Sequence, residues 1–156
     1  MVSEASQSSH PGPPSVRLPR EIAEAIVTQA EAEYPNEACG IVIGGAPAAD
    51  GGTASRYVAC RNVAASPYRY AIDSQEALQL SIEADDAGEE FWAIVHSHVR
   101  SPAVPSPTDV GLAFWPDALY ILVSLAADQD SPTGERSLRA WRIRDGVSYE
   151  VAVERA

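Results

Sequence analysis

Apolar residues at helical spacing mark two long helices in the sequence. After Pro19, apolar side chains recur every three or four residues until Pro35, so a helix is predicted between these prolines. A second helix is predicted over residues 75–87, because Asp73 and Glu76 form a capping-box pattern ahead of it. The predicted buried side of this second helix consists of Ala77, Leu78, Ile82 and Ala84.

Short apolar runs elsewhere in the chain predict strands. "CGIVIGG", "SRYVACRNV", "YRYAI", "FWAIV" and "ALYILVSLA" have the β-branched and aromatic content of strands. "SLRAWRIR" and "VSYEVAVE" alternate between apolar and polar positions, and Asp145-Gly146 between them is a strong two-residue hairpin signal. With a short helix predicted over residues 107–114, the pattern indicates a mixed α/β domain. Its sheet carries packed helices and ends in an antiparallel hairpin.

The first residues differ in composition from the rest. Residues 1–16 are rich in Ser and Pro and contain almost nothing to bury, which predicts a disordered tail before a domain of residues 17–156. A single domain of this length can bury a sizeable core. No apolar run approaches the roughly 20 residues that a membrane span needs. The N-terminus lacks the order of a secretory signal, so we expect a cytoplasmic protein without membrane contacts.

Charge and residue usage exclude some partners and chemistries. A formal net charge of −11 argues against nucleic-acid binding, because phosphate backbones require clustered cations. All eleven basic residues are arginine, so neither a Schiff-base lysine nor a phosphate-loop lysine is available. Cys39 and Cys60 are too few for a disulfide framework, and we expect both to be reduced thiols.

The stretch "VHSHVRSPAVPSPTDV" carries the candidate chemistry. Side chains alternate along a strand, so His96 and His98 are expected on one face, where two imidazoles can bind one metal ion. A lone His-x-His pattern is a weak signal by itself. Asp109 also has a purely structural interpretation, because "SPTD" is a well-formed helix start. Ser106 would be the N-cap, Pro107 the first helical residue, and Asp109 an acid near the positive helix end.

The two signals together favour a metal site. A helix that starts beside the end of the His-x-His strand would direct Asp109 toward the imidazoles. Two neutral nitrogens and one carboxylate leave a fourth tetrahedral position open, which is the pattern of catalytic zinc. Structural zinc takes four protein ligands, often thiolates, and this stretch has no cysteine. Capping and metal binding are compatible, since a fixed helix start also fixes the ligand.

These residues resemble a known family. "HSHVRSPAVPSPTD" is similar to the His-[Ser/Thr]-His-x7-Ser-x2-Asp motif of the JAMM (MPN-plus) zinc metalloproteases at every defined position. That family also has a glutamate just before an upstream strand, and "NEACGIVIGG" places Glu37 there. Over most of residues 17–154 the chain looks most like the short bacterial members that act on ThiS-like sulfur-carrier proteins, the cysteine-releasing Mec-type peptidases of actinobacteria in particular. The similar stretches are "NEACG", "YRYAIDSQEAL", "HSH", "PSPTDVGLA", "PDALYILVS" and "LRAWRIRDG".

The resemblance implies a fold, a cofactor and a substrate class. The fold would be a single α/β domain of the MPN type, a mixed sheet flanked by helices, with one zinc ion held by His96, His98 and Asp109. Glu37 would transfer a proton from the zinc-activated water to the leaving amine, and Ser106 would donate a hydrogen bond to the oxyanion. The implied partner is a ThiS-like, ubiquitin-like sulfur-carrier protein. Hydrolysis of its amide bond after Gly-Gly would release cysteine or a short peptide in sulfur transfer, cysteine or natural-product biosynthesis.

Several alternatives stay open at the level of sequence. Glu37 alone is typical of a solvated acid after a helix, Cys39 of a buried small residue, and Ser97 of a structural hydrogen-bonding group. Tyr70 and its neighbours fit either a substrate channel or a strand. One alternative function is an isopeptidase of ubiquitin-like conjugates, although the chain lacks the insertions by which deubiquitinating relatives grip ubiquitin. Another is a non-catalytic scaffold on the same fold, whose typical members lack the metal ligands.

Overall fold

A computed structural model describes residues 12–156 and arranges them around one mixed β-sheet. Its strands are β1 (Ser15–Leu18), β2 (Cys39–Gly44), β3 (Ala54–Cys60), β4 (Glu90–His98), β5 (Leu119–Ser124), β6 (Ser137–Arg144) and β7 (Val147–Arg155). Its helices are α1 (Arg20–Glu33), α2 (Ser74–Asp86) and α3 (Pro107–Gly111), with short 3-10 turns at Ala48–Asp50 and Ala127–Gln129. The strands lie side by side in the order β1-β7-β6-β5-β4-β2-β3.

The central strands are covered on both faces. Every residue of β2 and β5 is buried, and so is every residue of β4 after the first. On one face, Ile26 of α1 belongs to the same apolar cluster as Val95. On the other face, Ala84 of α2 belongs to a cluster with Ile94 and Leu122. Continuous apolar runs such as "FWAIV" are what strands covered on both faces require.

Two predictions that rest on local chemistry are confirmed. Helix α1 begins directly after Pro19, and its buried residues repeat at the predicted spacing: Ile22, Ala23, Ile26 and Ala30. The hairpin between β6 and β7 turns at Asp145 and Gly146, with φ of 53° and 76°. A tight two-residue turn of this kind needs the left-handed conformation at both positions, which explains why Asp-Gly predicts it.

Strands β4 and β5 run parallel, with His96 beside Leu122 and His98 beside Ser124. Parallel neighbours cannot be joined by a tight turn. Residues 99–118 therefore form a crossover segment, which carries α3. The crossover segment starts at the end of β4 that bears the two histidines, so the sheet topology brings α3 and the histidines to the same end of the sheet.

Residues 68–72, "YRYAI", do not form the predicted strand. They contribute only an isolated bridge between Asn62 and Ile72. The Asn62 side chain explains the difference, because its amide oxygen accepts a hydrogen bond from the Ala71 N–H and its Nδ2 donates to the Arg69 carbonyl, both at 3.0 Å. Backbone groups that a strand would pair with another strand are satisfied by one side chain.

The predicted buried side of α2 is largely wrong. Asp73 caps this helix as predicted, by accepting a hydrogen bond from the Glu76 N–H at 3.1 Å. However, Leu78 is 61% exposed and Ile82 is 47% exposed, whereas Ala84 is buried. The reason is that nothing in residues 12–156 covers the outer part of this helix face, and Leu78 instead lines an open groove.

The predicted boundaries of the tail and of α3 also differ from the structure. Strand β1 begins inside the segment predicted to be a tail, because residues 15–18 pair in parallel with residues 152–155 of β7. Residues 1–11 of the predicted tail lie outside the described residues. Helix α3 ends at Gly111, a weak helix former, and not at residue 114. No helix within residues 12–156 has the length and apolarity needed to cross a membrane.

Candidate metal centre

The two histidines of β4 lie together at the end of a buried strand. His96 and His98 share one face of the sheet, with ring centroids 5.1 Å apart. They are 1% and 6% exposed, respectively. Ser97 between them points to the opposite face, where it accepts a hydrogen bond from the Ala38 N–H at 2.7 Å. The predicted structural role of Ser97 is therefore confirmed.

Asp109 reaches the histidines from the start of α3. Ser106 Oγ accepts a hydrogen bond from the Asp109 N–H at 3.1 Å, and Asp109 Oδ2 accepts one from the Ser106 N–H at 2.8 Å, which completes a capping box. The same Oδ2 lies 3.3 Å from His96 Nε2 and 3.1 Å from His98 Nε2. Ligand atoms of these three side chains lie within 4.8 Å of one another. One carboxylate thus caps the helix and faces both imidazoles.

Hydrogen bonds set the tautomer of His98. The Pro102 carbonyl lies 2.8 Å from Nδ1 of His98, and because a carbonyl can only accept, Nδ1 carries a proton and Nε2 faces Asp109. Burial opposes protonation of His98, but hydrogen bonds to Asp109 and Pro102 outweigh it and raise the pKa of the imidazole. Burial likewise opposes ionisation of Asp109, but its close contacts with both imidazoles and the hydrogen bond from the Ser106 N–H outweigh it and lower the pKa of the carboxyl group. A metal ion held here would take the Nε2 lone pair of His98 in place of a proton.

The imidazole of His96, unlike that of His98, is not oriented by hydrogen bonds in the part of the chain that the structure describes. Among residues 12–156, neither nitrogen of its ring has a hydrogen-bond partner. The ring stacks on Tyr70 with centroids 4.2 Å apart. Burial lowers the pKa of His96, which keeps the imidazole neutral and a nitrogen lone pair available. A buried nitrogen without a partner costs free energy unless a ligand binds it. The residues therefore fit a metal ion, and their two nitrogens and one carboxylate are the donor set of catalytic zinc sites.

Glu37 lies buried in the turn between α1 and β2. It is 4% exposed, so its interpretation as a solvated acid is wrong. Its N–H donates to the Ser66 carbonyl at 2.9 Å and its carbonyl accepts from Asn62 Nδ2 at 3.0 Å, which fixes the backbone. In the described part of the chain, Oε1 of Glu37 has no hydrogen-bond partner. Burial raises the pKa of Glu37 to about 7, with smaller opposing effects of His98 and Asp109.

Two supporting residues were not assigned these roles from the sequence. Asn62 anchors the backbone of Glu37, yet a single asparagine in the run "CRNVAAS" gives no signal of this. Tyr70 stacks on His96, whereas the sequence left it between a strand and a channel. Cys39 is a buried small residue, as predicted: its Sγ donates to the Cys60 carbonyl at 3.9 Å, and burial raises its pKa to about 12.

Comparison with known proteins identifies the family. A model of the prokaryotic homologs of the JAB domain matches residues 19–144. The chain belongs to this family. The CysO-cysteine peptidase of Mycobacterium tuberculosis is 38% identical over 133 residues, which cover 85% of this chain and 86% of that protein. The desampylase of Haloferax volcanii is 31% identical over 126 residues, which cover 80% of this chain and 84% of that protein.

Solved structures agree with the family assignment. The solution structure of a Desulfitobacterium hafniense protein matches this JAB-family chain with a TM-score of 0.74 and 27% identity, covering 90% of this chain and 92% of that one. The crystal structure of a JAB1/MPN domain protein from Archaeoglobus fulgidus matches with a TM-score of 0.55 and 19% identity, covering 88% and 98%. The mixed sheet with its three helices is thus the JAB/MPN fold that the resemblance implies.

Two recesses adjoin the centre of this JAB-family protein. The first, which we call the small cleft, has a volume of about 290 Å³ and is lined by Glu37, Tyr68, His98, Arg100, Ser106 and their neighbours. The second, which we call the apolar groove, has a volume of about 560 Å³ and is lined by Asp109 together with Tyr70, Leu78, Leu112, Phe114 and Trp115. The predicted catalytic residues Glu37 and Ser106 therefore line the same cleft as the predicted ligand His98. The predicted ligand Asp109 lines the apolar groove.

Proposed function

We propose that this JAB-family protein is a zinc peptidase that cleaves the amide bond after the C-terminal Gly-Gly of a ThiS-like sulfur-carrier protein, releasing cysteine or a very short peptide. The observation that carries the proposal is the convergence of the buried His96 and His98 with the half-buried Asp109. Glu37, whose Oε1 has no partner within residues 12–156, lines the same recess as His98. The similarity to a CysO-cysteine peptidase over 85% of the chain supports the substrate class.

His96, His98 and Asp109 would hold one zinc ion per chain. When bound, zinc lowers the pKa of a water molecule to about 7 and polarises a carbonyl group. The Pro102 carbonyl keeps Nδ1 of His98 protonated, so Nε2 is the nitrogen available to the ion. The capping box at Ser106 positions the Asp109 carboxylate through bonds within the protein itself.

Glu37 would act first as general base and then as general acid. With no partner for its Oε1 among residues 12–156 and a pKa of about 7, it can take the proton of the attacking water and return it to the leaving amine. Ser106 Oγ already accepts the Asp109 N–H, which leaves its O–H to donate to the substrate carbonyl oxygen as negative charge develops there. A donor of this kind typically lowers the barrier by ~3 kcal/mol.

The two recesses suit a protein substrate with a thin tail. A Gly-Gly tail is extended and almost free of side chains, so it can reach a centre as enclosed as this one. The body of the carrier would dock through apolar contacts in the apolar groove, where Leu112 is 53% exposed and Phe114 is 73% exposed. An enzyme of net charge −11 gains no electrostatic steering toward an acidic carrier, so docking should depend only weakly on salt.

A second function is favoured by one observation, the 31% identity to a desampylase. An isopeptidase would use the same ligands and the same Glu37, but its leaving group would be a lysine side chain of another protein. A non-catalytic scaffold is a weaker alternative, because the chain retains all three predicted ligands together with Glu37 and Ser106.

Mass spectrometry of intact carrier proteins would test the proposal. Zinc-loaded protein should remove one cysteine from a Gly-Gly–Cys carrier, whereas the Glu37→Gln variant should not. The same tail as a free short peptide should be cut much more slowly, because it lacks the binding energy of the folded carrier. If zinc-loaded protein leaves every Gly-Gly–Cys carrier of its own genome intact but cuts a lysine-linked conjugate, the isopeptidase function is correct.

A further inference from the structure

The small cleft is lined by one arginine, Arg100. Arg100 is exposed, and it forms no ion pair or hydrogen bond through its side chain within residues 12–156. In this protein of net charge −11, six of the eleven arginines pair with acidic residues among those described, whereas Arg100 does not. The paired arginines are Arg20, Arg56, Arg136, Arg139, Arg144 and Arg155. An arginine left unpaired beside the candidate metal centre is available to an anionic ligand.

The catalytic roles proposed above decide which part of the substrate meets Arg100. Glu37 returns its proton to the leaving amine, so the leaving residue must lie on the side of Glu37, which lines the small cleft. The acyl part, with its Gly-Gly tail, then extends to the other side of the centre, along Asp109 and the apolar groove. In an α-amino acid that leaves from a chain end, one carbon atom separates the amine from a carboxylate. This carboxylate would enter the space that Arg100 lines.

We infer that Arg100 binds the α-carboxylate of the terminal residue that is released, and so makes the site selective for a free chain end. The inference rests on the proposed peptidase function and adds to it the anion that the enzyme recognises. A planar guanidinium can hold a carboxylate through two parallel hydrogen bonds, which an ammonium group cannot match. An isopeptide offers no carboxylate at that place, because its leaving nitrogen is attached to the side-chain methylene groups of a lysine.

The size of the recess agrees with a small leaving group. The small cleft has about half the volume of the apolar groove, 290 Å³ against 560 Å³. Arg69 provides a matched comparison on the other side of the centre. It is also exposed, its side chain forms no ion pair or hydrogen bond within residues 12–156, and it lines the apolar groove. If a position in the small cleft is required to bind the carboxylate, replacement of Arg100 by alanine should change the carrier preference, whereas the same replacement of Arg69 should not.

The test compares two carriers that differ only at the terminal carboxyl group. Joining a carrier thioester to cysteine or to cysteinamide gives Gly-Gly–Cys ending in a carboxylate or in a neutral carboxamide. The wild-type zinc enzyme should cleave the carboxylate form with a kcat/KM about tenfold higher. This is the lower end of what a hydrogen bond to a charged group provides, because the exposed charge of Arg100 is screened.

Substitutions of Arg100 and Arg69 test which residue causes the preference for the carboxylate carrier. Arg100→Ala should reduce the ratio of the two kcat/KM values to about one, mainly by raising KM for the carboxylate form. Arg100→Lys should restore part of the ratio, and Arg69→Ala should leave it unchanged. Zinc content and melting temperature should be the same in all variants, since both arginines are exposed.

Four outcomes would overturn the inference. Equal cleavage of both carriers by the wild type would refute it while leaving the proposed peptidase function intact. A preference that survives in Arg100→Ala, or that disappears equally in Arg69→Ala, would refute the assignment to Arg100. Cleavage of neither carrier by zinc-loaded wild type would refute the peptidase function itself and, with it, the inference.

Discussion

The candidate metal centre and the walls of its two recesses are built from opposite kinds of residue. Three polar side chains at the centre are almost fully buried, with Glu37 4%, His96 1% and His98 6% exposed, and Asp109 is half-buried. The walls include aromatic side chains that are largely exposed, with Tyr68 80% and Phe114 73% exposed. A buried polar group keeps its place only where the surrounding fold fixes it, whereas an exposed apolar side chain contributes little to folding. Under the proposed function, the chemistry would depend on the buried polar set, and docking of the carrier mainly on the exposed set.

The two sets also lie on different kinds of backbone. The histidines belong to β4, whose neighbours on both sides are hydrogen-bonded strands. Tyr68 and Phe114 belong to irregular segments outside the strands and helices. Substitutions at the centre should therefore abolish metal binding or catalysis, whereas substitutions in the walls should change substrate affinity while metal and fold persist.

Loss of a metal ligand should have the largest effect. His96→Ala and, separately, Asp109→Ala should lower zinc from about one ion per chain to a small fraction and abolish activity, because three ligands leave none to spare. Elemental analysis of the purified variants measures the zinc. Stoichiometric zinc in a variant with His96, His98 and Asp109 all replaced by alanine would refute the site.

Ser97→Ala is the matched control on the opposite face of the same strand. It should keep zinc but lower the melting temperature, because the buried Ala38 N–H loses its acceptor, at a cost of ~1–3 kcal/mol. If Ser97→Ala lost zinc as completely as His96→Ala, damage to β4 and not loss of a ligand would explain both results.

Replacement of the general base should come next. Glu37→Gln should lower kcat by about a hundredfold or more and retain zinc, because it removes proton transfer while leaving the shape nearly unchanged. Melting temperature should not fall, since the variant removes a buried carboxyl group that has no partner for its Oε1 within residues 12–156. Glu33→Gln, at an exposed position at the end of α1, is the control and should change nothing. Activity near wild type in Glu37→Gln would exclude Glu37 as the acid and base.

A substitution in the wall of the apolar groove should have a smaller effect, on KM and not on kcat. Phe114→Ala should raise KM for the carrier about tenfold, as loss of an aromatic anchor does in protein interfaces, with kcat and zinc nearly unchanged. Steady-state kinetics at low and physiological salt would measure this, and KM should vary little between the two. Val147→Ala is the control, because Val147 is 46% exposed but lies outside the groove lining. An unchanged KM in Phe114→Ala would show that the carrier docks elsewhere.

Deletion at the N-terminus should have the smallest effect. Removing residues 1–11 should leave zinc content and melting temperature unchanged, because this stretch offers little apolar surface to bury. Removing residues 1–18 should lower the melting temperature, because it deletes β1 and the fully buried Leu18. Differential scanning calorimetry measures both melting temperatures. A large decrease in melting temperature on removal of residues 1–11 would show that this stretch packs on the domain.

The elements that local chemistry dictates were predictable from the sequence. Alternation along β4 predicts that His96 and His98 share a face, and the SPTD sequence predicts the cap that Ser106 and Asp109 form. The turn at Asp145-Gly146 follows from the left-handed conformation that both positions adopt. In each case the information lies within a few neighbouring residues, so no knowledge of the remaining fold is needed.

Features that depend on distant partners were not predictable. Residues 68–72 have strand composition, but hydrogen bonds from the side chain of Asn62 hold them in an irregular path. Leu78 and Ile82 have helical spacing, yet whether they are buried depends on what packs against α2. Strand β1 is only four residues long, so its alternation of Val16 and Leu18 is too short to be decisive, and the strand is held by pairing with β7. Burial of Glu37 likewise arises from the loop that folds over it, not from its own neighbours.

The crossover segment between β4 and β5 bears on how such an enzyme can acquire new substrates. Parallel strands require a long connection in any case, and here residues 99–118 also supply wall residues to both recesses. Doubling the length of a flexible loop costs only about 0.6 kcal/mol of closure entropy. Insertions or replacements before Ser106 or after α3 can therefore reshape both recesses while β4 and the start of α3 continue to present His96, His98 and Asp109. Specificity can diverge among descendants of one such ancestor without rebuilding the sheet.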